Sequence, residues 1–304
     1  MKTPFVLPIS QVAQPLDLAS TLACGQCFRW RVDDCGSWNG VVGRDLVRLS
    51  MRNQGLIIET STTPAAELAE FIVAYLRLDD DLPSLHARLG SDPHLRQAFD
   101  NYPGLRLMRQ EPWETLAGFI LSSTSNIPRI SKTVELLSDT FGDEVQLDDI
   151  KRHTFASAEA LAEAGELRLR ELGCGFRAPY LTGAAEAVAT GRLPLNHLRG
   201  APYNDVLRQL TELKGVGEKI ADCAMLFSLD RLEAFPADRW VRKVLTDLYS
   251  LPANISYEDS REWAWVNGER TLAMPTSTYS GTHDRAPGQC ASLSEERLLS
   301  DVLT

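Results

Sequence analysis

A lysine and an aspartate nineteen residues apart are the residues of this chain best suited to chemistry. Lys219 follows the sequence Leu-Lys-Gly-Val-Gly-Glu, and Asp238 ends the triplet Pro-Ala-Asp. A neutral amine is a nucleophile, and a carboxylate stabilises a positive charge that develops on a substrate carbon. Together the two groups are the parts needed to break a glycosidic bond covalently.

The residues around Lys219 predict two helices joined by a tight turn. Gly215 and Gly217 can take φ > 0 without steric strain, as such a turn demands. After Lys219, apolar residues recur at helical spacing: Ile220, Ala221, Ala224, Met225 and Phe227. The first N–H groups of that helix attract an anion, and a DNA phosphate fits. The candidate phosphate contacts are therefore Gly215, Val216 and Gly217, although an ordinary turn between two helices explains the glycines equally well.

Both chemical residues also have an ordinary structural explanation. Most lysines lie at the surface and take no part in chemistry. Asp238 precedes the helical sequence Arg-Trp-Val-Arg-Lys, so it is a good N-cap residue. Capping is compatible with catalysis because a capping carboxylate is held rigidly.

The order and spacing of turn, lysine and aspartate resemble the helix-hairpin-helix/Gly-Pro-Asp (HhH-GPD) superfamily of DNA glycosylases, and within it the 8-oxoguanine DNA glycosylase/lyases. The resemblance runs from about Leu18 to about Tyr249. It implies that Lys219 attacks C1′ of the damaged nucleotide, expels the base, forms a Schiff base and leads to strand cleavage by β-elimination. It also implies that Asp238 stabilises the cationic sugar and that Cys223 lines the base pocket.

Gly25 lies in the sequence Ala-Cys-Gly-Gln-Cys-Phe-Arg-Trp-Arg, which resembles a second signature of this family. The resemblance implies that its carbonyl accepts the N7–H that oxidised guanine has and guanine lacks. Normal guanine would leave that buried carbonyl unpaired, which makes it a sound discriminator. Read without the resemblance, Gly25 is a turn glycine.

Two further segments resemble the parts of the family that open the duplex. In residues 172–181, Phe176 would fill the hole left by the flipped base, and Arg177 would contact the estranged cytosine. In residues 121–131, Arg129 would also contact cytosine, whose acceptors suit arginine donors. Thr124 stands where the family usually has an inserting asparagine. Read alone, Phe176 would be a core residue and the two arginines would be solvated.

The C-terminal segment departs from the resemblance. The family ends with a helix similar to Ala-Gly-Tyr-Ala-Asn-Glu-Tyr-Leu-Phe, whereas Gly268 to Cys290 is rich in Thr, Ser, Pro and Gly and has no helical periodicity. Suitable codons for Arg270 to Asp284, read with a shift of two nucleotides, encode that motif. We therefore expect residues 261–304 to be disordered or to result from a frame shift between about Arg261 and Gly268, which the nucleotide sequence tests.

Net charge and composition limit the kinds of partner that the chain can bind. The chain of 304 residues carries 31 Lys and Arg against 41 Asp and Glu, a net charge of −10. This balance argues against a wholesale polyanion binder but allows a local basic face. Basic residues cluster around the predicted turn: Lys214, Lys219, Arg239, Arg242 and Lys243. We expect a monomer that binds double-stranded damaged DNA through a few phosphates, and binding that weakens with salt.

The six cysteines show no disulfide framework, which favours a reducing compartment. The sequence shows no signal peptide and no membrane span, so we expect a cytoplasmic, nucleoid-associated protein. Cys24 and Cys27 form an isolated C-x-x-C that has no second pair, and we expect no metal there. No cysteines that resemble an iron–sulfur site follow Asp238. We expect no cofactor, although a monovalent cation at the turn would be compatible with the resemblance.

The predicted fold class is α+β. Four short strand-like runs lie between Leu16 and about Thr60, at residues 27–32, 38–42, 46–51 and 55–60, and helical spacing follows from about Pro93 onward. The resemblance implies an N-terminal antiparallel β domain (TBP-like) packed on an all-helical HhH-GPD core. The expected divisions are residues 1–95, residues 96–260 and an atypical tail from residue 261.

The predicted function is removal of 8-oxoguanine opposite cytosine, with lyase activity. Three alternatives remain open. A glycosylase for alkylated purines would generally lack Lys219. A glycosylase/lyase for oxidised pyrimidines is disfavoured by the β domain and the missing cluster cysteines. A DNA-binding protein without catalysis, or an enzyme disabled by its C-terminus, remains compatible with the hairpin.

Overall fold

The structure is a computed structural model that describes residues 5–8, 15–53 and 55–268. Within these residues an antiparallel sheet has the strand order β1-β5-β4-β3-β2. Its strands are β1 (Phe5–Pro8), β2 (Arg31–Val32), β3 (Trp38–Val42), β4 (Asp45–Arg52) and β5 (Gly55–Thr60).

The rest of the described chain is mainly helical. The helices are α1 (Leu18–Leu22), α2 (Ala65–Tyr75), α3 (Leu82–Leu89), α4 (Pro93–Asn101), α5 (Pro112–Ser122), α6 (Ile127–Phe141), α7 (Ala158–Leu169), α8 (Ala178–Ala189), α9 (Tyr203–Thr211), α10 (Glu218–Ser228), α11 (Arg239–Tyr249) and α12 (Tyr257–Gly268). A second, two-stranded sheet consists of β6 (Glu144–Leu147) and β7 (Ile150–His153). The α+β fold class predicted from the sequence is confirmed, and the β6–β7 hairpin is an addition to the helical part.

Strand β4 buries both of its faces. Val47 and Leu49 pack into a core that includes Ile72 of α2. Leu46 points the other way and packs with Val145 and Leu147 of the β6–β7 hairpin. Since successive strand residues alternate between faces, the adjacent apolar residues Leu46 and Val47 are explained by hairpin cover on one side and helix cover on the other.

The run from Cys27 to Val32 is a strand only at its last two residues, Arg31 and Val32. The strand-like reading of its earlier part is wrong. Cys27, Arg29 and Trp30 are all buried, which strict alternation does not produce. Arg29 donates to Glu135 of α6 over 3.0 Å, and Arg152 of β7 donates to the same carboxylate over 2.6 Å. This buried group of charges fastens the loop to the helical core.

Helix α10 lies at the centre of the helical core. All its residues from Ile220 to Ser228 are buried, and its apolar side chains pack against α5 and α9. Apart from Asp222 and Ser228, the buried residues of α10 are apolar or Cys on every side, as is typical of a helix in a protein interior. Only its first turn, which carries Lys219, reaches toward the surface.

The last described helix, α12, ends at Gly268 and packs on α11 through Tyr257, Trp263 and Ala264. The first eight residues of the predicted atypical tail, 261–268, therefore belong to this helix. Residues 269–304, on which most of the disorder and frame-shift prediction falls, lie outside the described residues. Among the described helices, none is long and apolar enough to cross a membrane.

Candidate active site

The turn before α10 has the predicted helix–hairpin–helix form, with one correction. Gly215 has φ +85°, and a Cβ atom there would lie 2.3 Å from the ring of Tyr180. Glycine is therefore required at position 215 for two reasons: the backbone has a positive φ, and there is no space for a side chain. Gly217 does not use φ > 0: it is the N-cap of α10 in an extended conformation, φ −87°. Gly217 has no side chain that could cap this helix, which leaves its first N–H groups available to an anion.

Lys219 lies in the first turn of α10 and is half-buried. Its Nζ atom is 5.4 Å from the centre of the Phe119 ring, which α5 contributes. Cys223, one turn further along α10, is fully enclosed, and its thiol lies near the Lys219 amine. Burial raises the pKa of this thiol to about 11, with Lys219 lowering and Asp238 raising it. The charges of Lys219 and Asp238 therefore both lie close enough to act on the Cys223 thiol.

Asp238 is the N-cap of α11, as its position in the sequence predicts. Its Oδ1 atom accepts from the backbone N–H groups of Trp240 and Val241, each over 2.9 Å. Both cap bonds use the same oxygen, so the cap does not engage Oδ2. The carboxylate is half-buried and held in one orientation, which suits a group that stabilises a developing cation.

The loop that carries Gly25 is held in place by Gln26. The buried amide of Gln26 donates to the carbonyls of Thr21 and Arg106 over 2.9 and 2.8 Å, and its Oε1 accepts from the N–H of Met108 over 2.9 Å. Gly25 itself has φ +87°, and a Cβ atom there would lie 3.0 Å from Ile127 at the start of α6. The loop therefore has little freedom to move relative to the helices.

Three phenylalanines connect this loop to the lysine. The Phe28 and Phe119 rings meet edge to face at 5.5 Å, and Phe119 stacks on Phe227 of α10 at 5.5 Å. Phe119 and Phe28 are site residues that the sequence reasoning missed. Phe28 stands inside the Gly-Gln-x-Phe-Arg-Trp signature, whereas nothing in the sequence distinguishes Phe119 from the other apolar residues of α5.

The candidate wedge and opposite-base residues lie together in a second group. Phe176 is 51% exposed, and the guanidinium carbon of Arg177 lies 4.3 Å from the centre of its ring. Arg177 is buried: its Nε donates to the carbonyl of Ser123 over 2.7 Å, and its Nη2 donates to the carbonyls of Ser123 and Thr124. The ordinary readings of Phe176 as core and Arg177 as solvated are both wrong.

Thr124 and Arg129 complete this second group. Thr124 is exposed and has φ +50°, the left-handed region that β-branched residues rarely adopt. Arg129, on the first turn of α6, is exposed. Burial and the nearby charge of Arg129 lower the pKa of Arg177, so two cations lie close together on this surface.

The C-x-x-C cysteines, Cys24 and Cys27, are both buried. The Cys24 thiol donates to the carbonyl of Thr21 over 3.2 Å, and the Cys27 thiol donates to the carbonyl of Leu22 over 3.3 Å. Burial raises the pKa of Cys24 to about 11 and that of Cys27 well above its ordinary value. Thiols held in the neutral form are poor nucleophiles and poor ligands.

A sheet packed on a helical core, with a lysine at the hairpin and an aspartate at the next helix, defines the class of helix-hairpin-helix DNA repair enzymes. Family models agree: residues 7–116 match the N-terminal domain of 8-oxoguanine DNA glycosylase, and residues 117–270 match the HhH-GPD superfamily base excision DNA repair proteins. The chain belongs to the HhH-GPD superfamily of base excision DNA repair proteins.

Relatives share most of the chain. The N-glycosylase/DNA lyase OGG1 of Arabidopsis thaliana is 33% identical over 260 residues, which cover 82% of this chain and 70% of that protein. The N-glycosylase/DNA lyase of Saccharomyces cerevisiae is 29% identical over 79% of this chain and 70% of its own length. The predicted enzyme class, a bifunctional N-glycosylase and DNA lyase, is confirmed by these relatives.

A solved structure has the same architecture. The 8-oxoguanine glycosylase/lyase of Clostridium acetobutylicum, in complex with double-stranded DNA that contains cytosine opposite 8-oxoguanine, superposes with a TM-score of 0.82. It is 28% identical, and the match covers 87% of this chain and 90% of that one.

Proposed function

We propose that this protein removes 8-oxoguanine opposite cytosine from double-stranded DNA and then cleaves the strand through a Schiff base on Lys219. The observation that carries the proposal is the grouping of the half-buried Lys219 amine, the Cys223 thiol and the Asp238 carboxylate at the hairpin. The relatives named N-glycosylase/DNA lyase, and the 8-oxoguanine complex of the Clostridium enzyme, support the same substrate.

In the proposed reaction Nζ of Lys219 bonds to C1′ while the bond from C1′ to the base nitrogen breaks. The base leaves with that electron pair. The positive charge on the sugar lies near Asp238, whose stabilisation acts mainly in the transition state. Loss of the Nζ proton and opening of the ring give a Schiff base. Loss of a C2′ proton then expels the 3′ phosphate, which is the β-elimination.

The damaged base must leave the duplex before this reaction, at a cost of roughly a few kcal/mol. Half-exposed Phe176 is suited to fill the vacated space, because its neighbour Arg177 is held by hydrogen bonds to the carbonyls of Ser123 and Thr124. Arg177 and Arg129 form a pair of neighbouring cations that suits the acceptors of an estranged cytosine. The carbonyl of Gly25 is our candidate for recognising the N7–H of the oxidised base.

The hairpin is the proposed phosphate contact. The three candidate residues lead into the N-terminus of α10, where the N-cap residue makes no side-chain hydrogen bond: Gly215, Val216 and Gly217. A monovalent cation at this turn and the absence of other cofactors remain predictions. We also propose that the protein acts as a monomer and that its affinity for DNA falls as salt rises.

Borohydride trapping on a duplex with 8-oxoguanine opposite cytosine tests the proposal. The protein should give a covalent adduct, and Lys219→Gln should give none. Lys151→Gln is the matched control, because Lys151 is an exposed lysine on β7 that pairs with Glu144. This control should form the adduct at the rate of the unaltered protein.

The other outcomes identify the alternatives. An adduct on an oxidised pyrimidine, but none on 8-oxoguanine, would assign a different lesion. Base release without any trapped adduct would contradict the Schiff base. DNA binding without chemistry on any lesion would make the chain a binding protein, and the version encoded by the shifted reading frame would then be assayed beside it.

A further inference from the structure

A buried carboxylate next to the site has no role in the proposed reaction. Asp222 lies on α10 between Lys219 and Cys223 and has no exposed surface. Its Oδ1 accepts from the hydroxyl of Tyr203 over 2.6 Å, and its Oδ2 accepts from the hydroxyl of Tyr257 over 2.5 Å. Burial raises the pKa of this carboxyl, and the two tyrosine hydroxyls act in the opposite direction.

The two tyrosines belong to different helices. Tyr203 is the first residue of α9, and Tyr257 is the first residue of α12. Asp222 therefore joins α10 to the other helix of the hairpin with one oxygen and to the last described helix with the other. The Tyr257 hydroxyl also lies 3.2 Å from the carbonyl of Phe235, three residues before Asp238. The contacts thus extend from the lysine helix toward the aspartate.

A second contact of α12 reaches the residue beside the lysine. Arg261 donates to the carboxylate of Glu218 over 3.1 Å and to the hydroxyl of Tyr203 over 3.3 Å. Its guanidinium carbon also lies 5.4 Å from the centre of the Trp265 ring. Glu218 is the first residue of α10, so Arg261 holds the turn on which Lys219 sits. It also offsets a negative charge beside the proposed phosphate contact.

Burial of a carboxylate such as Asp222 in a protein interior is unfavourable unless the carboxylate has a compensating role. An apolar residue of similar size would fill the interior without the desolvation of a carboxylate. Each carboxylate oxygen of Asp222 accepts one directional hydrogen bond, from Tyr203 or from Tyr257. The two bonds together therefore determine the rotation of α10 about its axis. Lys219 is three residues before Asp222 and Cys223 is one residue after it, so a rotation of α10 moves both.

We propose that Asp222, through Tyr203 and Tyr257, is a positioning residue that fixes the rotation of α10 and so aims the Lys219 amine. This inference rests on the proposed function of Lys219. It assigns a role to α12 that goes beyond packing: the helix orients the nucleophile from behind. A displacement of about 1 Å at a reacting group can lower a rate by on the order of 100-fold, so small rotations matter.

The test uses variants that keep the rings and remove only hydroxyls. Tyr203→Phe and Tyr257→Phe should each lower the single-turnover rate of 8-oxoguanine excision by on the order of tenfold or more, with the affinity for the lesion duplex unchanged. Tyr75→Phe is the matched control, because the buried Tyr75 hydroxyl accepts from Trp30 over 3.0 Å within the core of the sheet domain. It should lose stability but keep the excision rate.

Unchanged single-turnover rates in both tyrosine variants, with lowered stability, would overturn the inference and leave a purely structural carboxylate. A loss of DNA affinity with no loss of rate at saturating DNA would overturn it as well. A parent protein that gives no adduct would instead refute the proposed function. In that case an amine-directed reagent reads the positioning without DNA: the labelling rate of Lys219 should differ between parent and variants, that of Lys151 should not, and equal rates at Lys219 would overturn the inference.

Discussion

The lysine region and the duplex-opening region of this protein are held in place by different means. Lys219, Cys223 and Asp238 stand on two helices whose starts are fixed by buried side chains and by a capping carboxylate. Phe176 lies in a short 3-10 turn, Gly175–Arg177, next to the positive-φ residues Gly173 and Gly175, and Thr124 itself has a positive φ. The first region presents preformed chemistry, and the second presents the exposed side chain of Phe176 beside a strained backbone position at Thr124.

This difference predicts which property a substitution changes first in each region, the activity or the stability. A preformed site loses activity when one charge is removed, because the geometry survives and only the electrostatics change. A strained loop responds in its stability first, because its conformation is maintained against local preference. Arg177 links the two behaviours: its hydrogen bonds to the carbonyls of Ser123 and Thr124 hold the loop on which the strain is stored.

The largest expected effect is on the lysine region. Asp238→Asn should lower the excision rate by about 100- to 1,000-fold while the melting temperature stays the same, because asparagine caps a helix as well as aspartate. Single-turnover excision and thermal unfolding measure the two quantities. Asp92→Asn is the control: Asp92 caps α4 through His94 and Leu95 in the same manner, and this variant should keep full activity. Excision by Asp238→Asn at the parental rate would refute the electrostatic role.

The two hairpin glycines should differ strongly in stability. Gly215→Ala should lower the free energy of unfolding by about 2 kcal/mol or more, because of its φ of +85° and the Tyr180 ring. Gly217→Ala should lower it by at most about 1 kcal/mol, since a Cβ atom at Gly217 meets no atom within 4 Å. Urea unfolding of both variants makes the comparison, and equal losses would contradict the described turn.

The next effect concerns the wedge. Phe176→Ala should lower the excision rate on duplex DNA by roughly tenfold, because the cost of unstacking is no longer offset. The free energy of unfolding should change by no more than about 0.5 kcal/mol, since the side chain is half-exposed. Leu167→Ala is the control from the same region, because Leu167 is 80% exposed and has no proposed contact with DNA. Equal rates for the two variants would remove Phe176 from the proposal.

The smallest expected effect is a gain in stability. Thr124→Asn should raise the free energy of unfolding by about 0.5 to 1 kcal/mol, because asparagine tolerates the left-handed conformation better than a β-branched residue does. Thr140→Asn, an exposed helical threonine of α6, should give no gain. The comparison is made by urea unfolding. A loss of stability in Thr124→Asn would show that the threonine is held there by contacts and not against its preference.

The parts of the site that are contiguous in sequence could be predicted, and the parts assembled from distant segments could not. Lys219 and Asp238 share one stretch of chain, and the turn, the helix and the cap each leave a local pattern. Tyr203 and Tyr257 contact Asp222 from α9 and α12, and no local pattern indicates such a contact. Phe119 is hidden for the same reason, since one apolar helix residue looks like another before the helices pack.

The fold shows the same limit. The sequence predicts strands β3, β4 and β5 because runs of five or more residues rich in Val, Ile and Leu, separated by Asp, Gly and Asn, are typical of strands. Strand β6 has the alternating sequence Glu-Val-Gln-Leu, but four residues among acidic neighbours are too short a pattern to separate a strand from a solvated loop. Its burial depends on Val41 and Leu46, which lie about a hundred residues earlier in the chain.

The identity of the residue that bonds to DNA is the most direct test of the account. The borohydride-reduced adduct with an 8-oxoguanine duplex is digested with protease and nuclease, and mass spectrometry locates the sugar remnant. We predict that the remnant is on the peptide that contains Lys219 and that its fragments place it on that side chain. A remnant on Lys214, or on any other amine, would contradict the central claim.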